Sequence, residues 1–156
     1  ADSLFSISRA LQRVYDFIVI DAGSSLNENS ITLMDLADRI LLVTSPDLPT
    51  LHDTSSFIQL SPSMSIPMNK LLIIVNRQGV VGGVRTRDIE TSLRNEIFCK
   101  IPDDEPSAIR SVNRGVPLLL RYPRSPASRA IRKLSGDLSS LKQVEIVGLV
   151  AEGAPA

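Results

Sequence analysis

Four short runs along the chain are apolar at nearly every position: Phe17 to Asp21, Ile40 to Thr44, Leu71 to Asn76 and Ile97 to Ile101. Each carries β-branched residues and ends in, or is followed at once by, a polar or turn residue, the signature of a strand covered on both faces. Between them the apolar spacing changes from continuous to steps of three and four. Leu4, Ile7, Leu11 and Val14 make a helical stripe ahead of the first run, and Ile31, Met34 and Ala37 continue the pattern after it. Asp47 to Thr50 opens a further helix carrying Leu51, Phe57, Ile58 and Leu60, which Pro62 and Pro67 bring to an end.

Thr86 to Leu93 and Glu105 to Val112 are the next predicted helices. The second has Asp103 and Asp104 at its start, Pro106 in its first turn and Gly115 beyond its end. Ser125 and Pro126 begin the last one, with Ala127, Ala130, Ile131, Leu134, Leu138 and Leu141 on one face. Strands alternating with helices predict an α/β fold, a mostly parallel sheet flanked by helices, in a single domain over residues 1–141. The tail, 142–156, holds Val144, Ile146, Val147 and Leu149 and reads as an edge strand or a disordered end.

Composition narrows the function classes. Hydrophobic residues at 43% and charged residues at 22% suit a globular chain. Seventeen basic and seventeen acidic residues cancel, so no global field draws in nucleic acid or anionic lipid, and any such binding must be local. Arg110, Arg114, Arg121, Arg124, Arg129, Arg132 and Lys133 do concentrate positive charge in the last third. They read as a solvated helical face or as a patch for a partner or acidic lipid. With Cys99 the only cysteine, no internal disulfide forms, and a cytoplasmic setting is expected. No apolar stretch approaches the roughly 20 residues of a membrane span, and no signal-peptide pattern opens the chain. One histidine, His52, excludes a His-rich metal site, and six aromatics argue against a stacking platform for single-stranded nucleic acid.

The sharpest chemical signal is Asp21, at the carboxyl end of FIVID. Functional groups of open parallel sheets gather at that edge, and one carboxylate with waters and phosphates is a common magnesium arrangement. The competing reading is a turn cap with Gly23 and Ser24.

The run YDFIVIDAGSSLNENSITLMDLADRILLVTSPDLPTL, residues 15–51, resembles the MinD/ParA class of deviant Walker ATPases, and within it the CpaE/TadZ-like pilus assembly proteins. The resemblance continues through LLIIVNR, IPDDEPSAIRSVNRGVPLLL and PRSPASRAIRKLS in the same order, so it covers nearly all of the chain before the tail. It implies a P-loop NTPase-like fold with ATP and magnesium as ligands. Asp21 matches the Walker B aspartate that supports magnesium through water, and Asn76, followed by Arg77, matches the asparagine placed against adenine. Pro102, Asp103 and Asp104 match the segment that borders the base. Read without the resemblance, Asn76 ends a strand, Pro102 fixes a turn, and Asp103 or Asp104 caps a helix. Thr44 and Asp47 could reach the same crevice, although TSPDLP is equally a helix start.

Two departures matter. Gly23 stands where the family usually has proline after the Walker B aspartate. No G-x-x-x-x-G-K-[ST] loop occurs, and GVVGGVR at 79–85 has no lysine after it. In the family that loop follows a central strand lying between those equivalent to 17–21 and 40–44, so a chain without it is expected to have a gap in the sheet and to be the C-terminal part of a larger domain. The functional expectation is part of an ATP-binding switch that dimerises and positions a pilus or secretion assembly, with no nucleic-acid partner and only indirect, peripheral association with the inner membrane. A non-hydrolysing localisation scaffold of the same fold is the alternative. A phosphoacceptor receiver domain, with Asp21 and Thr44 ending successive strands, is the weaker one.

Overall fold

The computed structural model describes residues 2–141 and the backbone of 146–150. The elements run α1 (Asp2–Gln12), β1 (Ile18–Asp21), α2 (Glu28–Leu36), β2 (Arg39–Thr44), α3 (Leu48–Leu60), β3 (Leu71–Gln78), α4 (Thr86–Leu93), β4 (Ile97–Pro102), α5 (Glu105–Val112), α6 (Leu118–Arg121), α7 (Pro126–Ser140) and β5 (Ile146–Val150). All ladders are parallel and the strand order is β1-β5-β2-β3-β4. The α/β architecture expected from the alternating patterns is therefore the one observed.

The strict two-residue alternation of a strand assigns the faces. Ile40 and Leu42 of β2 pack with Met34, Ala37, Phe57 and Ile66, joined by Ile18 and Ile20 of β1. On β3, Ile73 and Val75 pack with Leu51, Ile89 and Leu93. Thus α2, α3 and α4 cover one face. The opposite positions, Leu41 and Ile74, meet Leu134 of α7, with Leu138 and Leu141 beside it. Cover is thinner over β1 on this side, where Phe17 and Val19 stay exposed beside a cavity of about 370 Å³ that also touches Leu134 and Leu138.

Helix starts follow the local chemistry. Asn27 and Ser30 exchange side-chain and backbone bonds in a capping box on α2, at 3.0 and 2.9 Å. Asp47 Oδ1 accepts from the Thr50 amide at 2.9 Å to start α3, and Ser125 Oγ accepts from the Ser128 amide at 3.2 Å to start α7. Each bond satisfies a donor that the helix cannot pair internally.

The tail departs from expectation. Ile146–Val150 is no edge strand: it pairs with β1 through Ile18↔Ile146 to Asp21↔Leu149, and with β2 through Arg39↔Val147 to Leu42↔Val150. It occupies the position where a gap was expected, and its pairing satisfies the ladder donors and acceptors of both neighbours. Residues 142–145 and 151–156 lie outside the described residues.

Candidate nucleotide-binding edge

At the carboxyl end of β1, Asp21 is exposed, and its Oδ1 accepts from the Gly23 amide at 3.1 Å. Gly23 has φ +68°, a conformation that costs an L-residue about 1–2 kcal/mol and glycine nothing comparable. The turn therefore uses glycine to bring an amide back onto the aspartate. Among the described residues the other carboxylate oxygen, Oδ2, has no protein partner, and no group of three or more His, Cys, Asp or Glu residues converges as a metal cage. An exposed carboxylate with one oxygen open at a strand end suits magnesium, which keeps its waters and takes few protein ligands.

The second corner is built by an irregularity in the β3–β4 ladder. Val75 pairs with Lys100 but Gln78 pairs with Pro102, so β3 carries one extra residue there. Arg77 absorbs it with φ +53°, a left-handed conformation unusual for a residue with a Cβ. The bulge brings Arg77 to Asp103: Nε to Oδ1 is 3.3 Å, and the Asp103 amide donates to Gln78 O at 2.9 Å. Asn76 Oδ1 accepts from the Arg77 amide at 3.0 Å, which fixes the orientation of its carboxamide. Asn76, Arg77, Pro102 and Asp103, distant in sequence, thus share one corner.

Asp104 faces differently. It precedes α5 and stands beside the start of α7. Burial pushes its pKa up, but the Ser125 and Ser107 hydroxyls with the Ala127 and Ser107 amides outweigh this and hold its carboxyl below the ordinary range. One oxygen, Oδ2, is shut away from solvent without a hydrogen-bond partner. The side chain is turned toward two helix starts rather than out along the strand edge.

Thr44 and Asp47 are likewise occupied. Thr44 is fully buried, and its Oγ1 lies 2.8 Å from Thr54 Oγ1, itself 2.7 Å from Thr50 O. Thr54 has one hydroxyl hydrogen; given to the carbonyl, it leaves Thr44 as the donor between the two. Asp47 accepts from Ser45 Oγ as well as from Thr50. Burial, the largest single influence, raises its pKa, and the Ser45 hydroxyl with the Thr50 amide and hydroxyl together more than reverse that, so the net shift is downward. Asp47 thus caps the start of α3, and Thr44 ties β2 to its middle.

The glycine-rich segment 79–85 does lie between a strand and a helix, yet its amides are not collected around an anion. Val80 N–H bonds Arg77 O, Gly83 N–H bonds Val80 O and Val84 N–H bonds Pro46 O, at 3.2, 3.0 and 2.8 Å. With Ser45–Pro49 and Arg77 it instead lines an open cavity of about 570 Å³. Sequence reasoning did not single out this cavity. The glycine-rich loop facing TSPDLP was the signal available.

Asp21 stands at one end of this edge and Asn76–Arg77 at the other, with β5 and β2 between. At ~4.8 Å per strand, β1 and β3 are about 14 Å apart, so the two corners could touch only opposite ends of one extended ligand. A parallel α/β sheet with its polar groups along the carboxyl edge belongs to the class of open α/β folds that bind their ligands at that edge.

Comparison with known proteins narrows that class. The chain is 32% identical over 111 residues to the septum site-determining protein MinD of Thermotoga maritima, covering 68% of this chain and 41% of that one. It is 29% identical over 130 residues to an uncharacterised ATP-binding protein of Methanocaldococcus jannaschii, covering 81% and 48%. Its fold matches a ParA family ATPase from Chlorobium tepidum with a TM-score of 0.74 at 25% identity, over 83% of this chain and 54% of that one. A MinD from Pyrococcus horikoshii complexed with Mg-ADP gives 0.73 at 24%, over 87% and 55%. No family model matches. The chain is homologous to the MinD/ParA P-loop ATPases, and it spans about half the length of the curated relatives it matches.

Proposed function

We propose that this chain supplies the magnesium corner and the base-side wall of a MinD/ParA-like, ATP-binding switch protein. The observation that carries the reading is the β3 bulge, because it gathers Asn76, Arg77, Pro102 and Asp103 at the carboxyl edge without any need of the core for it. Asn76 and the Pro102–Asp103 backbone border the purine, and Arg77 braces Asp103. Asp104 orients the start of α5 behind them. Asp21 holds magnesium through water. Bound magnesium would neutralise phosphate charge and order the attacking water in phosphoryl transfer. The lysine-bearing phosphate cradle belongs to no segment of this sequence, so turnover is not assigned to the 156 residues by themselves. Within the family, the CpaE/TadZ-like order of motifs supports a switch that pairs in its ATP-bound form and positions a pilus or secretion assembly.

Gly23 supports a second reading. In place of proline it makes a turn whose amide is spent on Asp21, so the switch segment is built differently, and the protein acts as a localisation scaffold that binds ATP without hydrolysing it. The receiver reading needs Asp21 and Thr44 at one crevice. Here β5 separates their strands and the Thr44 hydroxyl is buried.

Calorimetric titration with ATP, with and without magnesium, tests the proposal on this chain and on the longest polypeptide its gene encodes. Asn76→Ala should weaken binding in either condition, and Asp21→Ala only when magnesium is present. Phosphate release separates the switch from the scaffold. ATP binding by neither polypeptide would sink both.

A further inference from the structure

Asp103 and Asp104 are neighbours in the chain, yet they tie the strip after β4 to two different elements. Asp103 holds it to the β3 bulge, through Arg77 Nε at 3.3 Å and through its own amide, which donates to Gln78 O at 2.9 Å. Asp104 holds it to α7. Its carboxylate accepts from the Ser125 hydroxyl and from the Ala127 amide in the first turn of that helix, as well as from Ser107 of α5. Ser125 Oγ in turn accepts from the Ser128 amide at 3.2 Å, which leaves its single hydrogen for Asp104. A polar chain therefore runs from Arg77 through the Asp103–Asp104 peptide to the start of α7.

Capping α5 does not account for the charge at Asp104. Serine or asparagine caps a helix about as well as aspartate, and neither buries a charge. Asp104 instead leaves Oδ2 shut away from solvent with no hydrogen-bond partner. What an ionised acceptor adds is strength, because hydrogen bonds to a charged group are roughly twice as strong as neutral ones. Here those bonds reach a helix with its own hold on the sheet. Leu134 of α7 packs with Leu41 and Ile74, and Phe98, Cys99 and Ile101 of β4 lie beside them. A helix anchored in that way can back the strip from behind.

We infer that Asp104 and Ser125 are positioning residues for the base-side wall: they brace Pro102 and Asp103 from α7 and set base affinity through the wall rather than by touching the ligand. The inference rests on the nucleotide reading above and extends it to Ser125, which belongs to neither corner. Because coupling is reciprocal, a base held at the wall should also tighten the first turn of α7.

Calorimetry with ATP on the longest polypeptide the gene encodes, joined to amide hydrogen exchange, tests it. Ser125→Asp decides between bracing and capping. Aspartate keeps an acceptor for the Ser128 amide, but it has no hydrogen for Asp104 and sets a like charge against it. ATP affinity should fall about five- to tenfold, with and without magnesium alike. Asp104→Asn should weaken ATP in the same sense, whereas Ser125→Thr, which keeps both bonds, should bind as wild type. In the wild type ATP should slow exchange of the Ala127 and Ser128 amides, and in Ser125→Asp that slowing should disappear. Far-UV circular dichroism checks that each variant folds, and Asp104→Asn decides alone if Ser125→Asp does not. A folded Ser125→Asp with wild-type ATP affinity overturns the inference, as does ATP binding that leaves exchange at the start of α7 unchanged. Should Asn76→Ala weaken ATP while Asp104→Asn and Ser125→Asp do not, the bracing role alone falls. A wild type that binds no ATP sinks the nucleotide reading and this inference with it.

Discussion

Replacing Arg77 separates backbone strain from ion pairing at the base-side corner. The residue sits at φ +53° and its side chain pairs with Asp103 at 3.3 Å, the two side chains being 49% and 26% exposed. Left-handed backbone costs an L-residue about 1–2 kcal/mol. A half-exposed ion pair returns about 0.2–1 kcal/mol. Arg77→Ala keeps the strain and loses the pair, so it should destabilise by about 0.2–1 kcal/mol. Arg77→Gly relieves the strain, but glycine frees the unfolded chain by about 0.5–1 kcal/mol and the pair is lost as well. Its net change should lie within about 1 kcal/mol of zero, and it should be at least as stable as the alanine variant. Urea unfolding followed by far-UV circular dichroism measures both, since the chain has no tryptophan. Asp103→Ala and the double variants with it close a cycle that isolates the pair. A glycine variant clearly less stable than the alanine variant would refute the strain assignment. If the pair instead sets the corner's shape for a ligand, both variants should weaken ATP binding despite their opposite backbone effects.

Asp47→Ala should cost about 1 kcal/mol by removing the start of α3, and Asp47→Asn much less, both read by urea midpoint. Because the folded-state pKa values of Asp47 and Asp104 are depressed, their stabilising share is present above the unfolded carboxylate range near pH ~3.9 and disappears as pH falls through the lower folded values. Acid titration of Asp47→Asn should accordingly be shallower than wild type in that window. Ile40→Ala, at a fully buried β2 position, should lose about 2–5 kcal/mol, and a loss under 1 kcal/mol would mean the sheet is less tightly packed than described. Thr44→Val should cost about 0.5–1.5 kcal/mol, since Thr54 keeps its bond to Thr50 O and only the inner hydroxyl bond is lost.

Unbroken apolar runs made β1 to β4 legible in the sequence, and side-chain acceptors ahead of helical spacing did the same for the caps at Asp47 and Ser125, but the cover on both faces expected of all four strands fails at β1, whose Phe17 and Val19 are exposed. Arg77 was not legible as a left-handed residue, because nothing in VNRQ distinguishes a strand end from a bulge. That conformation depends on β4 arriving one residue out of step. Asp104 and Asp103 are equivalent in sequence and opposite in structure: one turns in to two helix starts, the other out to Arg77.

The tail bears on how the two halves of the site communicate. Asp21 belongs to β1, which among the described residues pairs with β5 alone. Asn76 belongs to β3 and Asp103 directly follows β4, and β3 is joined to both β4 and β2. Apart from side-chain packing through Ile18 and Ile20, the position of Asp21 relative to the base-side corner is therefore set by whichever strand stands between β1 and β2. The five residues from Ile146 to Val150 fill that position here and hold the two edges at two strand spacings. A ligand spanning Asp21 and Asn76 would need that spacing kept, so its affinity would depend on the central strand even if it touched no atom of it.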